Sequence, residues 1–179
     1  MALSVTGEQV ELVLRRLLPQ RGYELLNKPR TKGETGADMI AKKNNEDVFI
    51  ECIGYQENPS LRSKQFYEGF FRTVSRLKDG ASRCVLALPT GFNKGKKQRA
   101  KQYGEAWTRI GNTFPELEIW PVNVKENTYY ECKWNNWPAD SFGSEISHSR
   151  IKKASEIYRY TEEFHLENCT EEIKSIYIK

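Results

Sequence analysis

Two acids in otherwise apolar, strand-like stretches constrain this chain more than any other feature. Residues 37–43 (ADMIAKK) carry Asp38, and residues 47–54 (DVFIECIG) carry Glu51. Between them Asn44, Asn45, Glu46 and Asp47 form a polar turn, rich in the residues that tolerate turn conformations. The stretch therefore reads as a hairpin. Strand side chains alternate between faces, so Asp38 shares a face with Ile40, and Glu51 shares one with Phe49 and Ile53. A buried charge is costly unless it is paired or holds a metal. Two carboxylates on adjacent strands suit Mg²⁺ (or Mn²⁺), a hard cation that takes oxygen ligands and keeps several waters.

The run G-x-x-G-A-D-M-I-A followed by V-F-I-E-C-I-G-Y-Q resembles the core of the PD-(D/E)xK nucleases, the restriction-endonuclease-like superfamily. Asp38 matches the first acid of that motif and Glu51 the second. Ile53 stands where the family carries its lysine, a departure that bears on turnover more than on metal binding. The resemblance implies an α/β/α sandwich with a central mixed sheet. It implies a metal held by Asp38, Glu51 and the main-chain carbonyl of Cys52, and a metal-dependent phosphodiesterase acting on nucleic acid, DNA first. A weakened nuclease-like fold that binds nucleic acid or a protein is the alternative.

The opening of the chain fits the same order of elements. Thr6 and Gln9 make a capping box, and Val10, Val13, Leu14, Leu17 and Leu18 follow at helical spacing. Pro19 and Gly22 end that helix, and residues 23–26 read as a first strand. The run 11–26 also resembles the first helix of the Holliday-junction-resolvase branch, where an acid on this helix completes the metal site. Glu11 is that acid here, with Glu8 as second choice. Both also suit the helix dipole as ordinary first-turn acids. Arg30 and Lys32 lie in a basic loop before the Asp38 strand, fit for a phosphate backbone or for plain solvation.

Residues 59–80 read as a second helix, with Phe66, Phe70, Val74 and Leu77 at core spacing, Ser60 or Ser63 as cap and Gly80 past its end. The resemblance places Gln56, Lys64, Gln65 and Arg72 near the site or the substrate. Some members of the family move the motif lysine to this helix, which makes Lys64 the candidate for the amine missing at Ile53. Residues 82–89 (SRCVLALP) form a near-continuous apolar run, as in a strand covered on both faces. Residues 93–113 read as one long basic helix. Lys94, Lys96, Lys97, Arg99 and Lys101 crowd its first turns, and Ala100, Tyr103, Trp107 and Ile110 form the apolar stripe. Cations at a helix N-terminus oppose the dipole, so an anion is expected nearby, unless the run is simply solvated.

Residues 117–124 form a further strand, marked as an edge by Pro121. Residues 129–137 (YYECKWNNW) form a strand or hairpin whose Trp134 and Trp137 pack on the core or stack on bases. A helix is expected over 150–164, while 173–178 stays unassigned. The organisation is a nuclease-like core over 1–124 and an extension over 125–179 packed on it, one domain overall.

Length and composition set outer bounds. At 179 residues, 38% hydrophobic and 12% aromatic, the chain suits one packed α/β domain. A net charge of +4 permits a polyanion partner without demanding one. There is neither an apolar run of bilayer length nor a signal-peptide pattern over 1–7, so a cytoplasmic protein with no membrane partner is expected. Cys52, Cys84, Cys132 and Cys169 form no CxxC pair, which argues against a zinc knuckle. His148 and His165 are far in sequence from the acids and read as neither ligands nor bases. A homodimer or a protein partner stays open.

Overall fold

The structure, a computed structural model, describes residues 4–31 and 34–137. The chain divides into two units, residues 1–140 and 141–179, and every described residue lies in the first. Lys32, the helix expected over 150–164, the segment 173–178, both histidines and Cys169 lie outside the described residues.

The first helix, α1 (Gly7–Leu17), forms where the capping box demands. Thr6 Oγ1 accepts the Gln9 N–H at 3.2 Å, and Gln9 Oε1 accepts the Thr6 N–H at 2.9 Å. Val10, Val13 and Leu14 bury its apolar stripe. After a 3-10 turn, Gly22 reverses the chain with a left-handed φ of 78°. Strand β1 (Glu24–Leu25) then pairs antiparallel with β2 (Met39–Lys43), and β2 pairs antiparallel with β3 (Glu46–Cys52). The β2–β3 hairpin turns on Asn44 and Asn45 alone, both left-handed at φ 50° and 65°. Such a two-residue turn matches the twist of the strands, and asparagine tolerates it better than most residues. The ladder runs from Lys43↔Glu46 to Met39↔Ile50. Asp38 therefore sits one residue outside it, level with Glu51.

Helix α2 (Pro59–Ser75) crosses over to β4 (Arg83–Pro89), which lies parallel to β3. Its cap is Asn58, not Ser60 or Ser63. Asn58 Oδ1 accepts the N–H of Ser60 at 2.9 Å and of Leu61 at 3.3 Å, and Pro59 fills the first helical position, where no N–H is needed. The long basic helix expected over 93–113 is two helices, α3 (Lys96–Tyr103) and α4 (Glu105–Thr113). Gly104, at φ 51°, breaks them apart, and α4 can then aim Trp107 into the core.

Strand β5 (Leu117–Asn123) runs parallel to β4 and is not an edge. Two short strands, β6 (Thr128–Tyr129) and β7 (Cys132–Lys133), pair antiparallel with its other side. Pro121 falls in the gap between them, where its missing N–H costs no ladder bond and its carbonyl accepts the Tyr130 N–H at 3.1 Å. The result is a mixed sheet in the order β1-β2-β3-β4-β5, with β6 and β7 beyond, and helices on both faces. This is the expected α/β sandwich. On one face α1 packs against Met39, Ile50, Val85 and Trp120. On the other, Phe66 of α2 and Trp107 of α4 pack against Leu86, Ile119, Trp134 and Trp137. The rings of Trp107 and Trp134 stack at 4.2 Å, so the base-stacking role considered for Trp134 and Trp137 gives way to core packing. Residues 128–137 thus complete the sheet and its second apolar layer. Among the described residues, no helix is long and apolar enough to cross a membrane.

The end of β3 meets the start of α1 at close quarters. Val5 and Tyr55 exchange main-chain hydrogen bonds of 3.2 and 2.7 Å. A Cβ on Gly54 would lie 2.6 Å from the Val5 carbonyl oxygen, and one on Gly7 would lie 2.9 Å from that of Cys52. Backbone cannot yield as a flexible side chain can. Gly54→Ala should therefore lower stability by about 1–3 kcal/mol, as overpacking does. Urea unfolding would show it as a lower midpoint at unchanged slope.

Candidate functional site

The β2–β3 hairpin brings Asp38 and Glu51 to the same end of the sheet, beside α1 on one side and α2 on the other. Asp38 Oδ2 accepts the Cys52 N–H at 2.7 Å, and Oδ1 pairs with Arg30. Arg30 also donates to the Gly36 carbonyl at 2.6 Å. The main-chain carbonyl of Asp38 takes Arg15 at 3.0 Å and Asn27 at 3.3 Å, and Arg15 is in turn held by Glu11 at 2.7 Å. Glu11 is thereby tied to the Asp38 segment through one guanidinium.

Glu51 is fully buried. Arg76, one turn beyond Arg72 and just past the end of α2, donates from Nε to Glu51 Oε1 at 2.8 Å. Arg72 Nε stands 3.5 Å from Oε2, and that oxygen has no hydrogen-bond partner among the described residues. Burial pushes the Glu51 carboxyl above its ordinary range, and the negative charge of Asp38 pushes it further, against the pull of Arg72, Arg76 and Arg30. The two acids therefore sense each other's charge.

Asp38 lines an open cleft of about 340 Å³ with Glu8, Glu11, Cys52, Arg72 and the residues that begin α1. A second hollow of about 650 Å³ runs on along α2 and shares Gly7, Cys52 and Arg72 with the first. Glu51 lies behind Arg72, whose side chain is half-exposed. A hard cation in this cleft would find the Asp38 carboxylate and the main chain at Cys52; Glu51, fully buried, lines neither hollow and would join only if Arg72 moved aside. Water would complete the shell, as it usually does for Mg²⁺. No three His, Cys, Asp or Glu side chains converge on a point among the described residues.

The structure does not bring every sequence candidate here. Lys64 is 69% exposed and pairs with Glu68 at 3.6 Å on the outer side of α2. Gln56 offers only its carbonyl, to Arg62. Ile53, in the motif-lysine position, is buried with Phe66 and Leu86. Of the basic cluster, Lys94 and Lys97 are exposed, but Lys96 is only 3% exposed. Arg99 is half-buried, its guanidinium 4.6 Å from the centre of the Phe66 ring. Lys96 is therefore withdrawn from the surface, while Arg99 is partly exposed and also packs on the Phe66 ring. Arg30, expected over a phosphate backbone, is engaged by Asp38. Arg76, Arg15 and Asn27 were not singled out by the sequence. Only Arg76 left a signal there, its i,i+4 spacing from Arg72.

Neither a family model nor a curated protein matches the chain. Among solved structures it is similar to the crystal structure of an fdxN element excision controlling factor protein from Anabaena variabilis. The identity is 14% and the TM-score 0.45, over 70% of this chain and 98% of that one.

Proposed function

We propose that the chain is a metal-dependent phosphodiesterase acting on nucleic acid, with DNA the first substrate to try and Mg²⁺ or Mn²⁺ as cofactor. One observation carries this reading. The fully buried Glu51 keeps an oxygen without a hydrogen bond while the nearby charge of Asp38 works against its ionisation. A divalent cation would relieve the repulsion and supply Lewis acidity toward a phosphodiester. Arg72, half-exposed at the mouth, is free to leave Glu51 for a phosphate oxygen. Asp38 holds the Cys52 N–H and so fixes the main chain at the metal side of the cleft. Lys94, Lys97 and Lys101 lie on the exposed surface and add positive charge that would draw in a polyanion.

A second reading has its own observation. Arg30, Arg72 and Arg76 already neutralise both acids, and Ile53 supplies no amine. That arrangement favours a nuclease-like fold that binds nucleic acid, or a protein partner, without turning it over.

A nuclease screen separates the two. Purified protein with Mg²⁺ or Mn²⁺ is expected to nick or cut DNA, and Asp38→Ala to stop it. If single-stranded, duplex and branched DNA and RNA all stay intact with either metal, the enzyme reading fails. Salt-sensitive binding that survives Asp38→Ala would then favour the second.

A further inference from the structure

We propose that the hollow along α2 receives an unpaired base, so that the preferred ligand is a single strand or a frayed end and not intact duplex. This deepens the nucleic-acid reading and rests on it. The hollow continues the acid cleft through Gly7, Cys52 and Arg72. Its far wall carries two aromatic rings that the core does not use. Phe71 is 71% exposed and Tyr67, one turn earlier, 44% exposed. Both are held in place, Phe71 by an edge contact with Phe70 at 5.4 Å and Tyr67 by its hydroxyl on that of Tyr103. Stacking on such a platform is open to any base, because every base has a π-face.

The polar groups of the hollow suit the same ligand. Gln65 lines it, but its Oε1 is turned away from solvent and accepts no hydrogen bond among the described residues, so the amide must rotate to present that acceptor to a ligand. A buried acceptor of this kind is costly until a donor reaches it. The exocyclic amines of adenine, cytosine and guanine are such donors. Arg72 lines both hollows and would be within reach of the phosphate next to a stacked base. The charge of Glu68 on the same wall is answered by Lys64 at 3.6 Å. Base pairs inside a duplex could not stack in the hollow, since both faces of each base are covered by its neighbours.

The test is fluorescence anisotropy with the full chain in EDTA, so that no strand is cut. The probes are a labelled single-stranded DNA and the blunt duplex of the same sequence. The single strand should bind more tightly. Phe71→Ala should weaken it about tenfold and leave the duplex unchanged, while Phe71→Trp should hold wild-type affinity. Gln65→Leu should weaken the single strand in turn. Phe71 is mostly exposed, so these variants are expected to fold, and melting curves would check it. The proposal falls if Phe71→Ala leaves single-strand binding unchanged. It falls equally if Phe71→Leu binds as well as wild type, or if Phe71→Ala alters the oligomeric state, which would mark a protein contact instead. In either case duplex binding and cutting could persist, and the nuclease reading would stand. If neither probe binds, the proposal falls, while the nuclease reading is decided separately by the cutting screen with Mg²⁺ or Mn²⁺.

Discussion

Replacing Glu118 with alanine is expected to cost the fold about 3–5 kcal/mol, the scale on which breaking a buried ion pair acts. Glu118 sits in β5, between β4 and β7, nearly inaccessible, with three side chains donating to its carboxylate. Arg83 grips both oxygens at 2.9 and 2.8 Å, Lys133 reaches one at 2.8 Å, and the Trp120 indole N–H donates at 2.8 Å. Without Glu118, the buried indole loses its acceptor. Arg83 is left with Glu131 at 3.1 Å and the Tyr23 hydroxyl at 3.1 Å. Burial by itself would push the Glu118 carboxyl up. The hydrogen bonds from Arg83, Lys133 and Trp120 outweigh it and hold the group below the ordinary 4.5. A carboxyl lowered in this way stabilises the fold above pH 4.5, and that contribution disappears as pH falls through its folded value. Urea unfolding should therefore show a lower midpoint for Glu118→Ala at pH 7 and a gap that narrows in acid. A loss below about 1 kcal/mol at neutral pH would mean the network gains no more than an exposed pair does.

Features set by local spacing were legible in the sequence. The box of Thr6 and Gln9 places its helix by residues three apart. The Asn44–Asn45 turn and the alternation in β3 foretold a hairpin with Glu51 turned inward. What the sequence hid depends on contacts across the fold. The break at Gly104 exists because Trp107 must reach Trp134, a partner in a later hairpin. Pro121 looked like an edge because the gap between β6 and β7 is visible only when both have docked. The ring contact of Arg99 was hidden because its aromatic partner lies on another helix. The site divides in the same way. Asp38 and Glu51 could be paired by counting along two strands. The guanidiniums of Arg72 and Arg76 over Glu51 needed the crossing of α2 over β3, which no local pattern encodes.

The second large effect is expected at Glu51, and its sign is opposite to that at Glu118. Both are glutamates in strand interiors beside arginines, yet the Glu51 carboxyl is raised, by burial first and then by the charge of Asp38. Between the ordinary 4.5 and its raised folded value, the folded chain binds more protons than the unfolded one. Wild-type stability should thus fall as pH rises through that window. Glu51→Gln removes the charge but keeps an acceptor for Arg76, which also retains Asp79 at 2.9 Å. Arg72 is half-exposed and can turn to water. The variant should therefore be more stable than wild type at pH 8, by about 0.5–2 kcal/mol, the common scale for relieving a strained functional group. The gain should shrink toward pH 4. Metal-dependent cutting should drop at least about 10²-fold, as when one well-aimed group is lost. Mg²⁺ should raise the urea midpoint of wild type and not of the variant, because a ligand stabilises only the state that binds it. A glutamine variant less stable than wild type at pH 8 would make Glu51 a structural partner of Arg76, alike in kind to Glu118. The acid pair would then need no cation to explain it.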